Sequence, residues 1–196
     1  VIANTLCFPF MLGASEVLTA YVGSDYAFLA WCMTLWVICV LCQIHSTPTN
    51  ALILAHGKTR VLVLCTAMAC IVSMCVNVAL APTHGVASAV IGYSIYIAGM
   101  LACNYLYYYR RTLHLSLRRI ATSFLVPTLC GACALAVTTA LFTCAIHIEP
   151  ADSRVGNLLV FTLKSVAWLA IYVPLLLATR TIAVHGREIT TRYDTD

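Results

Sequence analysis

Long apolar segments alternate with short polar breaks along this chain. A helix needs about 20 predominantly apolar residues to cross the hydrocarbon core of a bilayer, and five segments reach that length. They cover residues 27–54, 59–82, 85–109, 120–146 and 157–179. The pattern therefore predicts five transmembrane α-helices.

A sixth apolar segment, residues 1–21, is interrupted by Pro9, Gly13 and Glu16. It begins without Met and without a basic flank, so it is not typical of a signal peptide. We expect it to form a sixth helix, and we expect the chain to be part of a longer protein. The fold class predicted is thus all-α: a polytopic membrane bundle over residues 1–179, followed by a short tail, 180–196.

Composition excludes a soluble protein. The chain is 62% hydrophobic and 9% charged, with a mean hydropathy of +0.93, whereas soluble domains have about 25% charged residues. The formal net charge of +4 is explained by basic residues in the loops and does not indicate nucleic-acid binding. Basic residues next to membrane helices attract anionic headgroups, so membrane lipids are the expected surroundings.

The charged residues predict an orientation. Nine of the eleven Lys and Arg residues fall in three polar segments, at 58–60, 110–119 and 180–192. The breaks between them carry Asp25, then only His84, then a mainly acidic group at 149–154. Because cytoplasmic loops are rich in Lys and Arg, the basic segments are predicted to be cytoplasmic. Both chain ends then face the cytoplasm, as six helices require.

Two patterns in the segment 85–109 concern packing. Small residues recur at three- and four-residue intervals, which places them on one helix face where a second helix can approach closely. They are Gly85, Ser88, Ala89, Gly92, Gly99 and Cys103. Four tyrosines precede Arg110 and predict an aromatic anchor at the inner membrane interface. They are Tyr105, Tyr107, Tyr108 and Tyr109.

The segment 27–54 contains polar residues too deep to be interfacial. Gln43, Ser46, Thr47 and Asn50 share one helix face, and Gln43 lies about 17 Å along the axis from Leu54. Such a stripe can line a polar cavity for a substrate. Alternatively, it serves hydrogen bonds between helices and repair of a kink at Pro48.

Three further polar residues within spans are ionisable. His45 points away from the stripe and is a candidate for ion coupling, or a structural residue. Lys164 lies about 10 Å along the helix axis from Asn157; it either extends towards the interface or faces a cavity and attracts an anionic headgroup. Glu16 is its candidate counter-ion, or a ligand for a coupling ion.

Signatures of enzymes and metal sites are absent from the sequence. There is no Walker A motif, GxSxG or HExxH. Eleven cysteines lie mostly within apolar segments, where Cys acts as a small hydrophobic residue. The pair Cys39 and Cys42 forms a CxxC without a second pair. We therefore expect no catalytic residue, no metal, no cofactor and no enzymatic activity.

The order of several local motifs is similar to that of a known family. A helix with Glu16 leads to "YVGSDYA", in which Gly23 and Tyr26 form a G-x-x-Y turn; later come "TPTNALILAHGKTR", "THGVASAVIGYSIY" and "YYYRRTLHLSLRRIA". This order resembles the C-terminal half of Wzx-type polysaccharide or O-antigen flippases. These belong to the multidrug/oligosaccharidyl-lipid/polysaccharide exporter superfamily.

The resemblance implies a MATE-like transporter of twelve helices, with a missing N-terminal half. Such flippases move lipid-linked oligosaccharides, usually on undecaprenyl pyrophosphate, across the bacterial cytoplasmic (inner) membrane by alternating access, for polysaccharide biosynthesis. Lys164 is then the candidate contact for the pyrophosphate. Two alternatives stay open. A cation-coupled multidrug exporter would need deep acidic residues, of which Glu16 is one, and a membrane-embedded acyl- or glycosyltransferase would need clustered His, Asp or Glu at one membrane face.

Overall fold

The computed structural model describes residues 1–57, 59–112, 117–146, 153–179, 182–185 and 188–191. Seven α-helices are found in this part of the chain. They are α1 (Ile2–Leu12), α2 (Ala14–Tyr21), α3 (Ala30–Ala55), α4 (Thr59–His84), α5 (Ala87–Cys103), α6 (Leu117–Leu141) and α7 (Arg154–Ala178). A 3-10 turn, Ser24–Leu29, precedes α3, and π-helical segments, Asn104–Thr112 and Phe142–Ile146, extend α5 and α6.

Within the described ranges, five helical segments are long and apolar enough to cross a membrane. They are Ser24–Ala55, Thr59–His84, Ala87–Tyr109, Ile120–Cys144 and Arg154–Ala178. Helices α1 and α2 make a sixth span if the two are counted together, although they meet at an angle of 71°. The all-α membrane fold class is confirmed, and the chain is a multi-pass membrane protein.

The helix bounds differ from the predicted ones at the first and last spans, and a local feature of the chain explains each difference. The first segment is not one helix, because it breaks at Gly13. The last helix begins at Arg154 rather than Asn157, since the Ser153 hydroxyl accepts a hydrogen bond from the Gly156 amide at 3.0 Å and caps the helix. Gly57 and Gly85 adopt positive φ in the turns after α3 and α4, where residues with a side chain are disfavoured.

The predicted tail contains two short strands. β1 (Ile182–His185) pairs antiparallel with β2 (Glu188–Thr191), with Ile182 opposite Thr191 and His185 opposite Glu188. The rest of the tail lies outside the described residues, as do Lys58, Glu149 and Asp152, which the orientation argument used.

The chain divides into two compact units. Unit 1 comprises Val1–Ala30 and Ala121–Asp196, and unit 2 comprises Trp31–Ile120. Unit 1 thus joins the start of the chain to its last helices, whereas unit 2 is continuous in sequence. The single bundle over 1–179 stays a prediction.

In unit 2, helices α4 and α5 pack closely through the predicted small residues. The Ser73 hydroxyl donates to the Gly92 carbonyl at 2.7 Å, and a Cβ on Gly92 would lie 3.0 Å from the Ser73 carbonyl oxygen. The Ser88 hydroxyl donates to Asn77 Oδ1 at 2.7 Å. A packing role is therefore confirmed for Ser88, Gly92 and Gly99, whereas Gly85 and Ala89 are exposed.

In unit 1, aromatic side chains occupy the space left by glycines. Phe8 of α1 lies against Gly131 of α6, where an added Cβ would be 2.6 Å from the ring. The same ring stacks on Trp168 of α7 with centroids 5.7 Å apart, and Trp168 stacks on Tyr172 at 4.4 Å. The Trp168 indole also donates to the Gly131 carbonyl at 3.2 Å. Helices α1, α6 and α7 therefore meet around one buried indole.

Candidate functional site

An intramembrane ion pair is the most distinctive polar feature of unit 1. Lys164 Nζ donates to Glu16 Oε1, although 148 positions separate the residues in sequence. Their side chains are 19% and 10% exposed. The two candidate residues Lys164 and Glu16 are thus brought together, and Glu16 acts as the counter-ion.

Three neighbours complete the surroundings of this pair. The Ser15 hydroxyl donates to the second carboxylate oxygen, Glu16 Oε2, at 2.8 Å. The Lys164 ammonium lies 5.9 Å from the centroid of the Phe142 ring, within the range of a cation–π contact. Phe161, one turn before Lys164 on α7, packs where a Cβ on Gly13 would be only 2.4 Å away.

The break between α1 and α2 positions the carboxylate. Because Gly13 has no side chain, Phe161 can fit against the backbone at the point where the helix axis turns. Helix α2 then runs beside α7, with Glu16 in its first turn. A carboxylate near a helix N-terminus is stabilised by the helix dipole, so the bend contributes to the electrostatics of the pair as well as to its geometry.

The chemistry of such a pair follows from its low-dielectric surroundings. Leaving one charge unpaired inside a membrane protein is costly, so intramembrane ionisable residues pair with one another and often mark functional sites. Lys164 can exchange Glu16 only for another anion, and Glu16 can exchange Lys164 only for another cation or a proton. Lys164 can therefore bind an anionic group when a proton or another cation neutralises the Glu16 carboxylate.

The predicted polar stripe of α3 is divided between buried and exposed positions in unit 2. Ser46 is buried and donates to its own helix, to the Cys42 carbonyl at 2.7 Å. Thr47 is exposed and donates to the Gln43 carbonyl at 2.9 Å. Asn50 is half-buried, and its Oδ1 atom has no hydrogen-bond partner in the part of the chain described.

Gln43 and His45 are both engaged by tyrosines that follow α4. The Tyr93 hydroxyl donates to Gln43 Oε1 at 2.7 Å. His45 Nε2 is 2.8 Å from the Tyr105 hydroxyl. Both contacts hold α3 to α5 and its π-helical extension. This agrees with the alternative in which Gln43 and His45 have a structural role. A role of the stripe in cavity lining, or of His45 in ion coupling, stays a prediction.

The tyrosines before Arg110 differ from the predicted interfacial anchor. Tyr108 and Tyr109 are 0% and 2% exposed. The Tyr109 hydroxyl lies 2.6 Å from the Thr49 hydroxyl of α3. The anchor prediction is wrong for these two residues, because their rings fill helix contacts inside unit 2.

Several contributors to these contacts escaped the sequence analysis. Ser15 and Phe142 flank the ion pair, and Tyr93 engages Gln43. The sequence did contain a signal for Tyr93. Its spacing from Gly92 and Gly99 places the tyrosine outside the face of small residues that packs on α4, so it is free to contact another helix. No signal of this kind existed for Phe142.

Cysteine and acidic residues do not assemble a metal site among the described residues. No group of three or more His, Cys, Asp or Glu side chains could hold an ion there. Of the CxxC pair, Cys39 donates from its thiol to the Ser94 hydroxyl at 3.2 Å, so this cysteine packs α3 against α5.

No protein-family model matches the chain, and no curated protein or solved structure matches it either. The resemblance to Wzx-type flippases therefore stays a prediction. The G-x-x-Y turn used for it does form, with the Tyr26 amide donating to the Gly23 carbonyl at 3.2 Å.

Proposed function

We propose that this chain is part of a membrane carrier that moves lipid-linked oligosaccharide or polysaccharide repeat units across the bacterial cytoplasmic membrane by alternating access. The proposal rests chiefly on one observation, the Glu16–Lys164 pair inside helices that are otherwise apolar. A structural span gains little from two charges that must be removed from water. A carrier of an anionic headgroup needs a cation at membrane depth.

In the proposed mechanism, a phosphate or pyrophosphate headgroup replaces Glu16 as the partner of Lys164. The ammonium binds phosphate as a point charge. The Glu16 carboxylate keeps its hydrogen bond from the Ser15 hydroxyl and takes up a proton or another cation in place of Lys164. The polyprenyl tail stays in the lipid, because its burial needs no polar partner.

A cation-coupled exporter of the same superfamily is the second candidate. It is favoured by the burial of the Glu16 carboxylate, since a buried carboxylate can alternate between a proton, a coupling cation and the Lys164 ammonium. In this case Glu16, rather than Lys164, is the essential residue.

Exchanging the two charged residues distinguishes both candidate transporters from a protein in which the ion pair is purely structural. The variant Glu16→Lys/Lys164→Glu keeps opposite charges at both positions, so folding should be largely retained. If Lys164 binds the headgroup, transport of a fluorescent undecaprenyl pyrophosphate-linked glycan by the full-length protein in proteoliposomes should fall at least tenfold. Arg154→Ala, at the exposed start of α7, is the matched control and should transport normally.

Single variants assign the role within the pair. Lys164→Gln should abolish glycan transport in the flippase, whereas Glu16→Gln should abolish cation-driven efflux of a drug in the exporter. Full glycan transport by the charge-exchanged protein would remove Lys164 from the mechanism and reduce the pair to a structural contact.

We also propose that both chain ends are cytoplasmic. A cysteine introduced by Thr83→Cys, at the exposed carboxyl-terminal end of α4, should react with a membrane-impermeant maleimide added outside intact cells. A cysteine introduced by Ser116→Cys should react only after permeabilisation. Each is compared with the parent protein, because the chain has its own cysteines. External labelling at position 116 would reverse the orientation.

A further inference from the structure

The short connection between α2 and α3 is unusually rich in exposed apolar side chains. Tyr21 is 76% exposed, Val22 53%, Tyr26 48% and Phe28 70%. No residue of the 3-10 segment Ser24–Leu29 is buried. We refer to residues 21–28 as the aromatic turn.

The turn continues directly into a span that is too long for a bilayer. The helical segment Ser24–Ala55 has 32 residues, which corresponds to about 48 Å at the rise of an α-helix. The hydrocarbon core is about 30 Å thick and is crossed by about 20 residues. About twelve residues of this segment must therefore lie outside the core, or the segment must tilt strongly.

Polar groups in the turn argue against a position in the hydrocarbon. Asp25 and Ser24 are exposed. Gly23 has a φ of 122°, a conformation that residues with a side chain rarely adopt, and it interrupts the helical backbone between α2 and the 3-10 segment. Irregular backbone of this kind is not tolerated in contact with lipid tails.

Water is an equally poor environment for the exposed rings. Removing apolar side chains from water is favourable, so two tyrosines, a phenylalanine and a valine favour a less polar surrounding. The headgroup layer satisfies both requirements, because amphipathic rings are stable there while the backbone and Asp25 stay hydrated.

We propose that the aromatic turn lies in the lipid headgroup layer and anchors the amino-terminal end of α3 at one membrane interface. The occupant of this surface is the bilayer itself, at the depth between phosphate groups and the first acyl carbons. Unlike the tyrosines before Arg110, of which two are buried in helix contacts, the rings of this turn are available to lipid.

Depth-dependent fluorescence quenching tests the proposal on the full chain in phosphatidylcholine liposomes. Phe28→Trp adds one emitter in the turn, and its signal is taken as the difference from the parent, which has three tryptophans. Ile71→Trp is the matched control, since Ile71 is 60% exposed in the middle of α4. Lipids carry a nitroxide either on the headgroup or in the middle of the acyl chain.

The tryptophan at position 28 should be quenched at least twofold more by the headgroup nitroxide than by the acyl-chain nitroxide, and that at position 71 the reverse. Tyr21→Trp should behave as Phe28→Trp does. Three results would overturn the proposal: stronger quenching by the acyl-chain nitroxide, quenching by aqueous iodide but not by lipid, or protection from all quenchers, which would indicate that a protein surface covers the turn.

Discussion

The two units keep their helices together with different chemistry. Unit 1 uses stacked aromatic rings fitted against glycines and adds one ion pair between α2 and α7. In unit 2, hydroxyl, amide, imidazole and thiol groups join α3 to α5, and small residues join α4 to α5. Lipid removes the hydrophobic drive for helices to associate. The difference shows that two kinds of contact can hold helices together without this hydrophobic drive. One is the close fit of rings against glycines, and the other is a set of hydrogen bonds spread over several residues.

The ion pair should be the most sensitive point of unit 1. Lys164→Ala leaves the Glu16 carboxylate buried without its cation, and breaking a buried pair costs on the order of 3 kcal/mol. Glu16→Gln/Lys164→Met should restore most of that stability, because no charge remains. Unfolding by a graded detergent denaturant in bicelles measures both. Equal stability of Lys164→Ala and the parent would mean that the pair adds nothing to unit 1.

The contact between Phe8 and Gly131 should have the second largest effect on stability. In Gly131→Ala the new methyl would meet the Phe8 ring at 2.6 Å, and overpacking of this kind costs about 1–3 kcal/mol. Adding Phe8→Leu should recover part of the loss, since a smaller side chain makes room. If Gly131→Ala is as stable as the parent in the same denaturant titration, shape complementarity is not what holds α1 to α6.

Removing a single hydrogen bond from unit 2 should destabilise the protein less than either of these changes in unit 1. Thr49→Val and Tyr109→Phe each remove one partner of the 2.6 Å hydroxyl contact, and together they form a double-mutant cycle. Hydrogen bonds between membrane helices contribute about 0.6 kcal/mol on average, so that is the expected coupling energy. A coupling above about 2 kcal/mol would contradict the view that unit 2 distributes its stability over many contacts.

The smallest effect is expected at Gly99. A Cβ there would lie 3.2 Å from the Ala69 Cβ, which belongs to a side chain, whereas a Cβ on Gly92 would lie 3.0 Å from a backbone oxygen. Gly99→Ala should therefore cost a few tenths of a kcal/mol, and Gly92→Ala clearly more, because backbone cannot move aside. The reverse order in an unfolding titration would show that α4 and α5 are closest near Gly99.

Hydropathy predicted the spans well, because a backbone in lipid must satisfy its hydrogen bonds within a helix. The face of α5 that packs on α4 was predictable for a similar reason, since three- and four-residue spacing defines one side of a helix. By contrast, the Glu16–Lys164 contact depends on the rotation of two helices and on the bend at Gly13, which spacing along the sequence does not encode. The same holds for Tyr108 and Tyr109, whose aromatic and basic context suggested the interface although their rings are buried.

The bend at Gly13 also bears on how the protein is inserted during synthesis. Helix α2, which follows the bend, has 8 residues and is far shorter than the ~20 residues that insert as an independent span. The aromatic and ionic partners that hold α1 and α2, Phe161, Lys164 and Trp168, are translated only after α6. The contacts of α1 and α2 with these residues can therefore form only after α7 has left the ribosome.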